Sequence, residues 1–141
     1  TCELFQCATS RSIFPFKGNP LSSPPMIAVV DDDNAVRASI DSLVRSLGFV
    51  VRVFSAAEEF LGSAEFTKAA CLITDVQMPN MSGVELHEHL TSHGFSIPTI
   101  FITAFPEDSV RKRAMTGSAI CFLAKPFQAK SLIDCLESTL K

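Results

Sequence analysis

The sequence predicts an α/β fold: a doubly wound five-stranded parallel sheet with helices on both faces. Two observations carry this. Five short runs, 27–30, 50–54, 71–74, 99–103 and 120–123, are rich in β-branched or aromatic residues and mostly apolar at every position, as strands buried on both faces are. Between them lie segments whose apolar residues recur at helical spacing. Such alternation implies right-handed crossovers and helices covering both sides of the sheet.

The first run, "IAVV", ends in Asp31, Asp32 and Asp33. In the helix that follows, Val36, Ile40, Leu43, Val44 and Leu47 share a face, while Arg37, Asp41 and Arg45 lie elsewhere. Asp33 or Asn34 can cap its start, and Gly48 ends it. A second helix covers about 56–61, with Ser55 as a plausible cap. A third follows Ser82-Gly83, with Val84, Leu86 and Leu90 as its apolar residues. The fourth, about 109–116, is short and carries Arg111, Lys112 and Arg113. The last runs over about 128–140, with Leu132, Leu136 and Leu140 in line. The natural arrangement is the flavodoxin-like strand order 2-1-3-4-5, whose sites lie beyond the carboxyl ends of the strands, where strand order reverses.

The bulk properties set limits. A chain of 141 residues is most simply one domain, and 47% hydrophobic residues is a globular value. With a formal charge of −3 and 12 basic residues in no long run, nucleic-acid binding by this segment is not indicated. No apolar stretch is long enough to span a bilayer. The five cysteines, Cys2, Cys7, Cys71, Cys121 and Cys135, form no close metal-type pair. Cys71 and Cys121 stand in or beside apolar runs and read as buried, reduced thiols, which suits a reducing cytoplasm. Residues 1–25 differ in character: they lack periodicity and carry Pro15, Pro20, Pro24 and Pro25. They are expected to be a disordered extension, or sequence ahead of a natural start at Met26, leaving 26–141 as the domain.

The strand ends carry the chemistry. Strand one ends in the aspartates, strand three ("CLITD") in Asp75, strand four ("TIFIT") in Thr103, and strand five ("CFLA") just before Lys125-Pro126. In a parallel sheet all these ends share one edge. Asp31, Asp32 and Asp75 should meet there, with Thr103 and Lys125 approaching from the other side. Clustered carboxylates suit a hard divalent cation such as Mg2+, which prefers oxygen ligands and keeps waters and phosphate oxygens. Without the ion, mutual repulsion should raise at least one carboxyl pKa. A dication, an ammonium and a hydroxyl around one free carboxylate form a receptacle for a phosphoryl group, whose transfer needs mainly positioning and charge neutralisation.

At this point "VVDDD", "TDVQMPNMSG", "ITA" and "LAKPF", in this order and on these strand ends, resemble a receiver domain of a bacterial two-component response regulator (CheY-like). "DDDNAVRASI", "FSAAEEFL" and "MPNMSGVEL" are most similar to its FixJ-like branch. The resemblance covers 26–141. It implies a signalling domain rather than an enzyme, one that assists its own phosphorylation and dephosphorylation. Asp75 would be the phosphoacceptor, taking a phosphoryl group from a sensor histidine kinase. Asp32 and Asp75 would hold Mg2+ directly, Asp31 would act through water, and the backbone carbonyl of Gln77 would complete the protein ligands. Thr103 and Lys125 would each engage a phosphoryl oxygen. The Lys125–Pro126 bond is expected cis, and Phe122 matches the aromatic switch position, although a strand-five aromatic would pack there in any case. Asp33 is left to cap the first helix. Phosphorylation-dependent homodimers are expected in this branch. Phe105, two residues after Thr103, is bulky and could hinder the water that attacks a phosphoaspartate.

Two rivals stand beside this reading. A haloacid-dehalogenase-type phosphatase also pairs aspartates, with Asp31 as nucleophile and Asp33 as second acid. There, however, Ala35 replaces the usual threonine, no acidic pair follows Lys125, and "TDVQMPNMSG" is unexplained. A receiver-like module that signals by contact alone is disfavoured by the complete set of Asp31, Asp32, Asp75, Thr103 and Lys125. Two other groups are bland in comparison. His87, His89 and His93 are expected at the surface, with only His89 and His93 able to share a face. Arg111, Lys112 and Arg113 are a solvated face or a partner-docking patch.

Overall fold

The computed structural model describes residues 25–63 and 66–140. Five strands, β1 (Met26–Val30), β2 (Val50–Phe54), β3 (Ala69–Asp75), β4 (Thr99–Thr103) and β5 (Ala119–Ala124), form one sheet. All neighbours are parallel, and the order is β2-β1-β3-β4-β5, the expected 2-1-3-4-5. The connecting helices are α1 (Asn34–Ser46), α2 (Ala57–Leu61), α3 (Gly83–Ser92), α4 (Asp108–Ala114) and α5 (Ala129–Leu140). A 3-10 turn, Phe66–Lys68, leads into β3. No described helix is long and apolar enough to cross a membrane.

The period-two alternation of strand side chains divides the core between two faces. Ile27, Val29, Ile73, Ile100 and Ile102 turn to one side, where Ile40 and Val44 of α1 and Leu132 and Leu136 of α5 meet them. Ala28, Val30 and Leu72 turn to the other, against Phe60 of α2 and Leu86 and Leu90 of α3. A smaller cluster there joins Val84, Phe101 and Ala114 beneath α4, with Phe122 packed against it. Each fully buried Ile, Leu or Phe contributes about 1.5–3 kcal/mol. The central strands therefore fix the sheet edge on which the polar residues stand.

Helix starts follow local chemistry. Asp33, not Asn34, caps α1: its Oδ1 accepts from the N–H groups of Ala35 and Val36 at 2.9 and 3.2 Å. Gly48, at φ +97°, ends that helix in a conformation glycine adopts without Cβ strain. Ser82 caps α3 in a capping box, accepting from Glu85 N–H at 3.1 Å while Glu85 Oε1 accepts from Ser82 N–H at 2.9 Å. Asp33→Ala is expected to cost about 1 kcal/mol, read as a lower urea midpoint. An unchanged midpoint would remove Asp33 from that role.

Three expectations need correction. Ser55 does not cap α2. Ala56 occupies that position, while Ser55 N–H and Oγ both donate to Glu59 Oε1, at 2.7 and 2.9 Å. This five-residue helix is held instead by Phe60, edge-on to both Phe54 and Phe66. Cys121 is not a free thiol: it is joined to Cys135, linking β5 to α5. Cys71 is free and buried as expected, and burial pushes its thiol up to about 12. His87 is buried, not at the surface, because it follows Val84 and precedes Leu90 by three residues each and so joins their stripe. The expectation for 1–25 falls outside the described residues, apart from Pro25.

Candidate functional site

At the carboxyl edge of the sheet, the loops after β1, β3, β4 and β5 converge. Asp31, the first residue past β1, is buried, and its N–H donates to Phe54 O across to β2 at 3.1 Å. Its Oδ1 accepts from Asp33 N–H at 2.8 Å, while the Arg37 guanidinium donates to its backbone oxygen at 2.7 Å. Asp32 is exposed. Asp75, the last residue of β3, is 5% exposed. One carboxylate oxygen from each of the three lies within 4.8 Å of the others.

Lys125 closes the cluster. Its Nζ stands 3.2 Å from Asp31 Oδ2 and 3.4 Å from Asp75 Oδ1. Its backbone N–H donates to Thr103 O at 2.7 Å, tying the ends of β4 and β5 together. The Lys125–Pro126 bond is cis, as the resemblance implied. Burial pushes Asp75 up to about 6; the negative charge of Asp31 adds to this, Lys125 opposes it, and Asp32 adds a little more. Burial alone would lower the Lys125 ammonium, but Asp31 and Asp75 together outweigh it and hold the group above its usual value.

One ammonium thus serves two buried carboxylates, with a third beside them. That excess of negative charge, presented entirely by oxygen donors, fits a hard divalent cation. The histidines make no comparable group. The His89 and His93 rings lie 4.3 Å apart on the outer side of α3, whereas His87 turns inward to pack edge-on against Phe101, with ring centroids 5.5 Å apart. His87 Nε2 pairs with Ser118 Oγ at 3.2 Å, and burial holds the imidazole below its ordinary pKa against the opposing pull of Glu88. Arg113 forms a two-point pair with Glu88, both contacts at 2.7 Å, so the basic face of α4 is partly tied to α3.

Thr103 is fully buried at the end of β4. Its hydroxyl donates to Gln77 Oε1 at 2.6 Å and accepts from Phe105 N–H at 3.0 Å. The resemblance implies only a backbone role for Gln77; its side chain is in addition a partner of Thr103. The one signal for this was a polar, uncharged residue two positions after Asp75. Phe105 is 64% exposed at the rim. Phe122 lies on the α4 side of β5, with its ring centroid 6.4 Å from that of Phe101. It is a partly buried core aromatic, placed two strands from Asp75 in the sheet.

Backbone hydrogen bonds also anchor the loop after β3. Val76 N–H donates to Ile102 O at 2.9 Å, and Gly83 N–H donates to Val76 O at 3.0 Å. Asn80 turns the chain with φ 71°. Gly83 then passes so near β3 that a Cβ there would sit 2.1 Å from Asp75 O.

Residues 27–137 match the family described as "Response regulator receiver domain". Among curated relatives, "Response regulator protein TmoT" of Ectopseudomonas mendocina is 40% identical over 116 residues, 82% of this chain and 53% of that protein. "Transcriptional regulatory protein FixJ" of Rhizobium meliloti is 36% identical over 111 residues, 79% of this chain and 54% of its own length. The chain spans about half the length of the curated relatives it matches. Among solved structures, "Crystal structure of FixJ-N" shares 34% identity at a TM-score of 0.74, covering 84% of this chain and 94% of that one. The response regulator StyR shares 43% at 0.76, covering 84% and 60%.

Proposed function

The chain belongs to the response regulator receiver domain family, and from that premise we propose that it is a phosphoacceptor, taking a phosphoryl group from a sensor histidine kinase onto Asp75. The observation that carries this is the Lys125 ammonium between two buried carboxylates, with the Thr103 hydroxyl on the neighbouring strand. An Asp75 oxygen attacks the phosphorus of a phosphohistidine in line, the imidazole nitrogen leaves, and an acyl phosphate results. Lys125, already 3.4 Å from Asp75 Oδ1, pairs with a phosphoryl oxygen. Asp32 and Asp75 would hold Mg2+ directly, Asp31 through water, together with the Gln77 backbone carbonyl. The ion would supply charge neutralisation around the phosphoryl oxygens. To reach the phosphoryl group, the Thr103 hydroxyl must give up its bond to Gln77 Oε1.

Withdrawal of Thr103 opens room on the side where Phe122 packs, and we assign Phe122 the role of switch residue that follows it inward. The face formed by α4, β5 and α5 then changes, as in two-state switches driven by local charge. On this reading the phosphorylated form self-associates through that face. An open apolar groove of about 580 Å³, lined by Val36, Ile40, Leu43, Pro126 and Phe127, abuts Lys125. A donor kinase seated there would present its phosphoryl group beside Asp75. The proposed location is the cytoplasm, with no direct nucleic-acid contact by this segment. A part in transcription regulation rests on likeness to relatives so named.

Incubation with Mg2+ and acetyl phosphate should add one phosphoryl group by intact mass. The adduct should require Mg2+ and disappear in Asp75→Asn. Absence of an adduct, with Mg2+ also failing to bind, would favour a module that acts by contact alone. Phe105, fixed at the rim through its N–H bond to Thr103 Oγ1, is expected to impede the attacking water. Phe105→Ala should therefore shorten the phosphoform lifetime several-fold, followed by loss of the adduct mass after donor removal. An unchanged lifetime would take Phe105 out of the hydrolysis step.

A further inference from the structure

The Cys121–Cys135 pair is not used by the chemistry above, and it lies on the face that the switch is proposed to move. Cys121 is in β5, the edge strand of the sheet, and is half-buried. Cys135 is in α5, 7% exposed, between Leu132 and Leu136 in the same apolar stripe. Their Cα atoms are 6.5 Å apart, inside the range that a disulfide spans without backbone movement. The side chains of β5 alternate. Cys121 therefore points to α5 while its neighbour Phe122 points to the cluster under α4. A bond at Cys121 anchors the strand that carries Phe122.

We propose that Cys121 and Cys135 are a reversible dithiol–disulfide site whose oxidation clamps α5 to β5. This rests on the proposed cytoplasmic location and switch: a cross-link in a reducing compartment is rare and mostly transient, catalytic or redox-sensing, which fits a bond between two elements proposed to move better than a permanent brace. The oxidant is a small-molecule disulfide of the glutathione type. The more exposed Cys121 thiolate attacks one sulfur of the oxidant, and one thiol leaves. The Cys135 thiolate then attacks Cys121 Sγ, and the second thiol leaves. Two protein thiols become one disulfide, and one small disulfide becomes two thiols. Cys71 does not compete, because it is completely buried and its thiol is held up near 12 by burial. Apart from the disulfide, α5 and β5 share one apolar cluster, which holds Leu132 and Leu136 together with Ile120, Leu123 and Phe127.

The test uses the full chain with Cys2→Ser and Cys7→Ser, equilibrated across ratios of reduced to oxidised glutathione, acid-quenched and digested with trypsin without reduction. The expected product joins peptides 114–130 and 131–141 and weighs about 2 Da less than the two thiol peptides together. It should appear in oxidising buffer, vanish in reducing buffer, and be absent in Cys121→Ser and in Cys135→Ala. Amide exchange along α5 should be about tenfold slower in the oxidised form. Thiols that persist at every ratio would overturn the site, as would a bond that resists excess dithiothreitol in the folded protein. Equal exchange in the two forms would overturn the clamp. None of these readouts depends on phosphorylation, so the site can fail while the phosphoacceptor reading stands.

Discussion

Asp75→Asn should make the metal-free protein more stable at neutral pH while abolishing its phosphorylation. Asp75 is almost fully buried beside Asp31, and its pKa is raised from 3.8 to about 6, chiefly by burial and next by the Asp31 charge. The sign follows from linkage. The unfolded chain ionises Asp75 near 3.8 and the folded protein only near 6. The stability contributed by the neutral acid is therefore fully present below 3.8 and lost as pH rises through 6. Above that, the folded protein carries an ionised carboxylate at a cost on the order of 1–3 kcal/mol. Asparagine keeps the shape without the charge, and Lys125 retains Asp31 at 3.2 Å. Urea unfolding in a chelator should show the gain at pH 7.5 and little of it near pH 4. Mg2+ should raise the midpoint of the unsubstituted protein, by mass action on the folded state, and should raise that of Asp75→Asn far less. A substitution that destabilises at pH 7.5 would mean that Lys125 already outweighs burial and repulsion, leaving no excess charge for a cation to relieve.

That cost is what makes the site legible in the sequence. Strands buried on both faces must be apolar throughout, so β1, β3 and β4 announce themselves, and any acid at their ends stands out. The sheet order then brings Asp31, Asp32, Asp75, Thr103 and Lys125 to one edge from the ends of four separate strands. What the sequence concealed depends on packing between elements. The Gln77–Thr103 hydrogen bond joins the loop after β3 to the end of β4, whose separation no local pattern sets. Cys121 and Cys135 lie 14 residues apart on a strand and a helix, and only their shared turn toward one core face makes them partners. His87 was legible in principle, since it sits three residues from both Val84 and Leu90. Its phase on the helix, not its polar type, decides its burial.

Gly83→Ala should damage both stability and phosphorylation, although the position needs no unusual backbone angle. Gly83 opens α3 directly after the Ser82 cap, and its N–H donates to Val76 O at 3.0 Å. A methyl there would meet Asp75 O at 2.1 Å, and Asp75 C and Thr74 Oγ1 at 3.0 Å. The nearest of these is backbone of a central strand and cannot swing aside. Overpacking of this kind costs typically 1–3 kcal/mol, occasionally more, and about 3 kcal/mol is expected here. To relieve the contact, α3 must lift or the end of β3 must shift, and the Asp75 carboxylate moves with it. A displacement near 1 Å at a reacting group can cost about 100-fold in rate, so labelling by acetyl phosphate should slow by roughly that factor in protein that is still folded. Gly94→Ala separates the two effects. Gly94 has φ +84° and nothing within 4 Å of an added Cβ, so alanine there costs on the order of 1–2 kcal/mol of backbone strain with no push on β3. Gly94→Ala should lose stability and keep the labelling rate. If Gly83→Ala labels as fast as Gly94→Ala, the close approach of α3 to β3 does not set the position of Asp75, and the carboxylate must be held by Lys125 and the cation alone.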